Sequence, residues 1–140
     1  GWDTHADNFG LMEDWHGPLL DHVFSTLMRD LDERGLLETT LVILMGEFGR
    51  TPKINAKGGR DHWPNVSCAF VGGGDMRHGQ MIGASDKNAA EPAERPVHMG
   101  EVHATLYQHM GIDPNTTTLP DLTGRPQYLV DGWKPMPELI

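Results

Sequence analysis

The sequence has little cysteine, little positive charge and no long apolar run. Cys68 is the only cysteine, so no disulfide can form within the chain, and its apolar surroundings predict a buried thiol. Lys and Arg number 11 against 20 Asp and Glu, which gives a net charge of −9. Such a chain repels nucleic-acid phosphates, and no apolar run approaches the ~20 residues of a membrane-spanning helix. We therefore expect neither a nucleic-acid partner nor a transmembrane segment.

The surplus of carboxylates suits a site for divalent cations. With 140 residues, the chain is long enough for one domain with a hydrophobic core. The sequence starts at Gly1, and a motif begins at once at Trp2. We therefore expect residues 1–140 to be the C-terminal part of one larger domain, with any Ser, Thr or Cys nucleophile located upstream.

The order of helix and strand patterns predicts an α/β fold. Gly17 and Pro18 open a helix that ends at Gly35. Its apolar residues recur at helical spacing: Leu20, Val23, Phe24, Leu27, Met28 and Leu31. A strand over 40–46 follows, and its branched apolar run is typical of a strand buried on both faces of a parallel sheet. These elements predict a mainly parallel sheet flanked by helices.

The rest of the chain predicts weaker elements. Residues 47–65 form a long loop of the kind that is usually functional. A second strand is predicted over 66–71, a short strand over 80–82 and a helix over 99–110 that stops at Gly111. Residues 112–140 are rich in proline, and we expect one edge strand there, over 128–130.

Glu47 and Arg50 follow the first strand directly, at the edge where open α/β sheets bind ligands. One interpretation is a plain ion pair between the two side chains. The other is that Glu47 binds a metal while Arg50 faces an anionic group, since the planar guanidinium matches phosphate and sulfate oxygens. The local sequence leaves both interpretations open.

Two more polar clusters could meet this edge. Asp3 and His5 are two residues apart, so an extended segment places them on the same side, as half of a metal site. The alternative is a turn in which Asp3 caps an amide and His5 is solvated. Arg60, Asp61 and His62 form the second cluster. Its alternative is structural: Asp61 orients His62 by a hydrogen bond, and the Trp next to it anchors the loop.

Three segments carry a family resemblance: Gly1–His5, Gly46–Pro52 and Gly59–Pro64. Together they resemble a bacterial family of unknown function, numbered 1501. Three later segments fit it too: Gly83–Asp86, Gly111–Pro114 and Leu129–Gly132. The resemblance spans the chain in order and matches the C-terminal portion of that family.

This family is grouped with the alkaline phosphatase and sulfatase superfamily. The resemblance implies an alkaline-phosphatase-like, mainly parallel α/β fold, of which this chain holds only a C-terminal fragment. It also implies an exported protein that hydrolyses sulfate or phosphate esters of small molecules or polysaccharides. A divalent metal (Zn, Mn, Ca or Mg) would assist, because metals and basic groups offset charge on the transition-state oxygens.

The resemblance implies a ligand set and two basic groups. Asp3, His5, Glu47, Asp61 and His62 would hold the metal, and Arg50 and Arg60 would bind the anionic group. Many superfamily members carry an Asp-His pair where this chain has Glu47 and Phe48. Loss of that His favours the alternative function, which is a non-catalytic, exported, sulfatase-like binding or surface module that has lost part of its metal site.

Overall fold

A computed structural model describes residues 1–140, which divide into two units. The first unit comprises Gly1–Asp75 and Ala84–Glu94, and the second comprises Met76–Gly83 and Arg95–Ile140. None of the helices is long and apolar enough to cross a membrane.

A continuous helical segment opens the first unit. It consists of α1 (Asn8–Leu11), a π-helical turn (Met12–His16) and α2 (Gly17–Glu33). Pro18 sits at the start of α2, where the π-helical turn changes to α-helix, and Gly35 takes a left-handed conformation (φ 67°) just past the end. Both boundaries of α2 agree with the sequence. The helical turns upstream of Gly17 were not predicted from the sequence, because that stretch has no apolar periodicity typical of a helix.

The predicted parallel sheet is wrong. Strand β1 (Leu41–Met45) pairs antiparallel with β4 (Ala69–Gly73), so that Leu41 lies opposite Gly73 and Met45 opposite Ala69. A parallel pair needs a crossover connection, usually a helix. No helix lies between β1 and β4, so the chain returns through a loop and the two strands run in opposite directions. The other strands also pair antiparallel, and the chain forms four two-stranded sheets.

Burial on both faces of β1 is also wrong. Leu41 and Val42 are half-buried, whereas Ile43, Leu44 and Met45 are exposed. Strand β1 has one partner strand, and the aromatic contact from α2 reaches that partner, β4. Phe24 of α2 meets Phe70 of β4 edge-to-face, with ring centroids 4.9 Å apart.

Cys68 is exposed, so the buried thiol predicted for it is wrong. The residue lies just before β4, and the second strand begins at Ala69 rather than at residue 66. The apolar run therefore starts outside the paired part of the strand.

Two short ladders complete the first unit. Strands β2 (Gly49–Arg50) and β3 (His62–Trp63) pair antiparallel, and so do β5 (Ala84–Ser85) and β6 (Pro92–Glu94). The strand predicted over 80–82 is wrong, since those residues belong to the second unit and lie outside every strand.

The second unit is built around α3 (Met99–His109), which agrees with the predicted helix to within one residue. Its N-terminus is capped by His98, whose Nδ1 accepts a hydrogen bond from the Gly100 amide at 3.0 Å. Arg95 holds both Glu101 and Glu138 through nitrogen–oxygen contacts of 2.7 Å. A hairpin of β7 (Thr118–Pro120) and β8 (Pro126–Tyr128) replaces the single predicted edge strand.

Candidate metal centre

The segment from Asp3 to Ala6 lies along residues 58–60. The Arg60 amide donates to the Thr4 carbonyl at 3.2 Å, and Ala6 forms a bridge with Gly58. The buried Thr4 hydroxyl donates to Asn8 Oδ1 at 2.6 Å. Because alternate residues of an extended segment face opposite sides, Asp3 and His5 face away from Thr4 and are exposed. The sequence predicted this shared side.

The close approach of these two segments requires glycine at position 59. A Cβ built on the buried Gly59 would lie 2.1 Å from the carbonyl oxygen of His5, inside van der Waals contact. Only a residue without a side chain lets the backbone pass there. Gly59 therefore sets how near the loop before β3 comes to His5.

The β2–β3 ladder brings His62 to the same place. In its register His62 lies opposite Arg50, and Trp63 lies opposite Gly49. Trp63 anchors β3 because its indole N–H donates to the Ala90 carbonyl at 2.7 Å. This agrees with the anchor role that the sequence suggested for the Trp.

Three side chains converge at this point. His62 Nε2 lies 2.9 Å from Asp3 Oδ1, and His5 Nε2 lies 3.1 Å from the same oxygen. The two Nε2 atoms are themselves 3.1 Å apart. One carboxylate oxygen and two imidazole nitrogens thus form a small triangle, drawn from positions 57 and 59 residues apart.

The spacing of these atoms fits a small cation. Zinc bonds to nitrogen and oxygen are ~2.0–2.1 Å long, so tetrahedral ligand atoms stand roughly 3.3 Å apart. The three observed distances are slightly shorter, and the ligand types suit zinc and manganese. The side chains are 44–59% exposed, so the triangle opens to solvent.

Asp61 lies behind His5 rather than in the triangle. Its Oδ1 is 2.7 Å from His5 Nδ1, and a carboxylate can only accept, so Nδ1 carries a proton and Nε2 is the nitrogen that would hold a cation. This is the carboxylate–histidine arrangement that orients metal ligands in proteins. Hydrogen bonds from His5 and from Asn55 lower the pKa of Asp61. Asp61 therefore orients His5, whereas the sequence suggested His62 as its partner.

Asn55 is a contributor that the sequence analysis missed. Its Nδ2 donates to the His5 carbonyl at 3.0 Å and to Asp61 Oδ1 at 3.2 Å. Its Oδ1 accepts from the amides of Lys57 and Gly59. The Asn55 side chain thus links the loop over residues 55–61 to the backbone of His5. The bonds to the Lys57 and Gly59 amides are local, and an Asn that bonds the amide two residues on is typical of a turn. The contact with His5 spans 50 residues, so no local pattern marks it.

Both arginines are engaged with protein groups. Arg50 Nη2 lies 2.5 Å from Asp3 Oδ1 and also donates to the Trp2 carbonyl. Arg60 Nη1 donates to the carbonyls of Thr51 and Pro52, at 2.7 and 2.9 Å, and its guanidinium lies over the Phe9 ring. Hydrogen bonds from His62 and from Arg50 lower the pKa of Asp3 to about 2, so this carboxylate is ionised at neutral pH.

Glu47 lies outside the triangle. It is exposed and forms no hydrogen bond or ion pair, so the pairing with Arg50 that the sequence suggested is absent. Its neighbour Phe48 packs on His62, with ring centroids 4.3 Å apart. An apolar ring therefore covers one face of His62.

The chain belongs to the family described as "Protein of unknown function (DUF1501)", whose model matches residues 1–140. This match confirms the family that the sequence motifs indicated. No curated protein and no solved structure matches the chain.

Proposed function

We propose that this DUF1501 protein is a metal-dependent hydrolase of sulfate or phosphate esters. The observation that carries the proposal is the convergence of Asp3, His5 and His62, with ligand atoms within 3.1 Å of one another. Two of the three ligand atoms are imidazole nitrogens, and His62 comes from a segment 57 residues away from His5. Three protein ligands also leave a coordination position for substrate, as catalytic zinc sites do.

A divalent cation bound there would offset the negative charge that builds up on sulfuryl or phosphoryl oxygens. In the overall reaction a water oxygen forms a bond to sulfur or phosphorus, the ester bond breaks, and the alcohol leaves with a proton. The surrounding residues hold the ligands in place: Asp61 and Asn55 fix His5, and Arg50 holds Asp3. Exposure of the triangle lets an ester reach it from solvent.

We propose four further properties from the family resemblance. Motifs around Asp3, Glu47 and His62 support a relationship to the alkaline phosphatase and sulfatase superfamily. The same resemblance supports an exported protein and a C-terminal position of residues 1–140 within a larger domain. It also supports a role for Arg50 and Arg60 in binding the anionic group.

Metal titration and turnover test the proposal together. The chelator-treated protein should bind one equivalent of Zn²⁺ or Mn²⁺ and then hydrolyse 4-nitrophenyl sulfate or 4-nitrophenyl phosphate. His62→Ala should weaken metal binding by more than ~100-fold, since it removes a ligand, and should abolish turnover. The matched control is His22→Ala, which removes an exposed histidine of α2. Less than one equivalent of metal, with no turnover, would contradict the proposal.

Two features favour the alternative, a non-catalytic binding module. The superfamily resemblance implies a histidine ligand where this chain has Phe48, which packs on His62, and both arginines are held by protein groups. Such a module would bind sulfated polysaccharide without hydrolysing it. Binding of heparin or dextran sulfate, combined with no turnover of either aryl ester, would support the module.

A further inference from the structure

A cleft of about 460 Å³ lies on the Asp61 side of His5. Its lining consists of Thr51, Lys53, Ile54, Asn55, Ala56 and Asp61. Asp61 links the cleft to the metal site, since it lines the cleft and contacts His5 Nδ1 at 2.7 Å. The volume suits one ring-sized group, because small-molecule pockets range over roughly 300–1,000 Å³.

Most polar groups of the cleft are already used by the protein. The Thr51 hydroxyl donates to the Lys53 carbonyl at 2.8 Å and accepts from the Asp61 amide at 3.0 Å. The Asn55 amide bonds to partners through both its nitrogen and its oxygen. These bonds hold the wall in one conformation and leave Thr51 and Asn55 with little capacity for a ligand.

Lys53 is the exception. Its ammonium group takes part in no hydrogen bond and no ion pair, and the residue is exposed. Arg50 and Arg60 are engaged with Asp3 and with backbone carbonyls, and Lys57 is outside the lining. Lys53 is therefore the cation of this cleft that can accept an anion, beside the apolar side chains of Ile54 and Ala56.

We propose that this cleft binds the alcohol portion of the ester and that Lys53 pairs with an anionic substituent on that portion. The inference rests on the proposed function and narrows its substrate class. The preferred substrate is a sulfate or phosphate ester whose alcohol is a single ring that bears a carboxylate. The ring lies against Ile54 and Ala56 while the carboxylate meets Lys53.

The test compares two esters that differ by one carboxylate. These are the 4-nitrophenyl and 3-carboxy-4-nitrophenyl esters, each as sulfate and as phosphate. The native protein should show a KM about five-fold lower for the carboxylated ester, the gain expected of one solvent-exposed ion pair. Lys53→Gln should remove this preference by raising the KM of the carboxylated ester alone, with kcat unchanged. Lys57→Gln, the matched control, should preserve it.

Equal effects of Lys53→Gln on both esters, or no effect, would overturn the inference. If neither ester is hydrolysed, the proposed function fails and the cleft is tested by binding alone. The probe is then 5-hydroxy-2-nitrobenzoate, titrated into the metal-loaded protein while amide chemical shifts are followed. Shifts at residues 51–56 that Lys53→Gln abolishes support the cleft, and absence of binding overturns it.

Discussion

His5 Nδ1 and Asp61 Oδ1 lie 2.7 Å apart, and this contact joins two segments separated by 56 positions in the sequence. It fixes the tautomer of His5, so that Nε2 faces Asp3 and His62. The metal site therefore depends on a residue that does not belong to the triangle of ligand atoms.

Substitution of Asp61 should weaken metal binding without removing a ligand. Asp61→Ala frees the His5 ring, and loss of such an orienting carboxylate typically costs about 10–100-fold in metal affinity. Titration with Zn²⁺ after chelator treatment measures the change. Asp32→Ala, which removes an exposed carboxylate of α2 that has no partner, is the control. Unchanged affinity in Asp61→Ala would show that His5 needs no orientation.

A methyl group at position 59 should push the segment with Asp3 and His5 away from the loop that precedes β3. The added Cβ of Gly59→Ala would meet the His5 carbonyl at 2.1 Å, so the backbone must move. We expect the free energy of unfolding to fall by more than about 1 kcal/mol and metal binding to be lost. Gly46→Ala is the control, since its Cβ has an ordinary contact of 3.5 Å. Denaturant unfolding and metal titration measure both effects.

Adjacent residues of α2 should differ in their contribution to stability. Phe24 is half-buried against Phe70, whereas Val23 is 54% exposed. Phe24→Ala should lower the free energy of unfolding by about 2 kcal/mol, less than a fully buried Phe costs. Val23→Ala should stay within about 0.5 kcal/mol. Similar losses in the two variants would mean that Val23 is covered in solution.

His16→Phe should stabilise the protein. His16 is buried, and its Nδ1 has no hydrogen-bond partner. Phe keeps the stacking on Trp2, where the rings are 4.6 Å apart, and removes the unsatisfied nitrogen. We expect a gain of about 1 kcal/mol in thermal or denaturant unfolding. His22→Phe, at an exposed position, should give no gain. A loss in His16→Phe would indicate that Nδ1 has a partner in solution.

Acid should open the β7–β8 hairpin only at very low pH. Hydrogen bonds from the Thr123 hydroxyl, and from the amides of Arg125 and Thr123, lower the pKa of Asp121 to about 2. A depressed carboxyl pKa contributes stability that is fully present above the unfolded pKa of ~3.9 and is lost as the pH falls to about 2. Carboxyl NMR titration should show Asp121 ionised at pH 3. Asp131, an exposed carboxylate without partners, is the internal reference.

Local signals predicted α2 and α3 well, but not the helical turns before Gly17. Pro18 and Gly35 mark the ends of α2 because one lacks an N–H and the other tolerates positive φ, and both effects act within a few residues. Strand direction lacks such a signal. The apolar run of β1 shows that the segment is a strand, but its direction depends on whether a helix crosses over between β1 and β4.

The spacing of Asp3 and His5 by itself determined that they share a side, because the two-residue period of an extended chain is local. The sequence also identified the family, whose model matches residues 1–140. Only the tertiary structure decided that Asp61 bonds His5 rather than His62. It also decided that Arg50 forms its ion pair with Asp3 and not with Glu47. The physical reason is that these contacts join segments tens of residues apart. The partner of each side chain depends on how the loop closes, on the β2–β3 register and on the close approach at Gly59. No local sequence pattern encodes these three features.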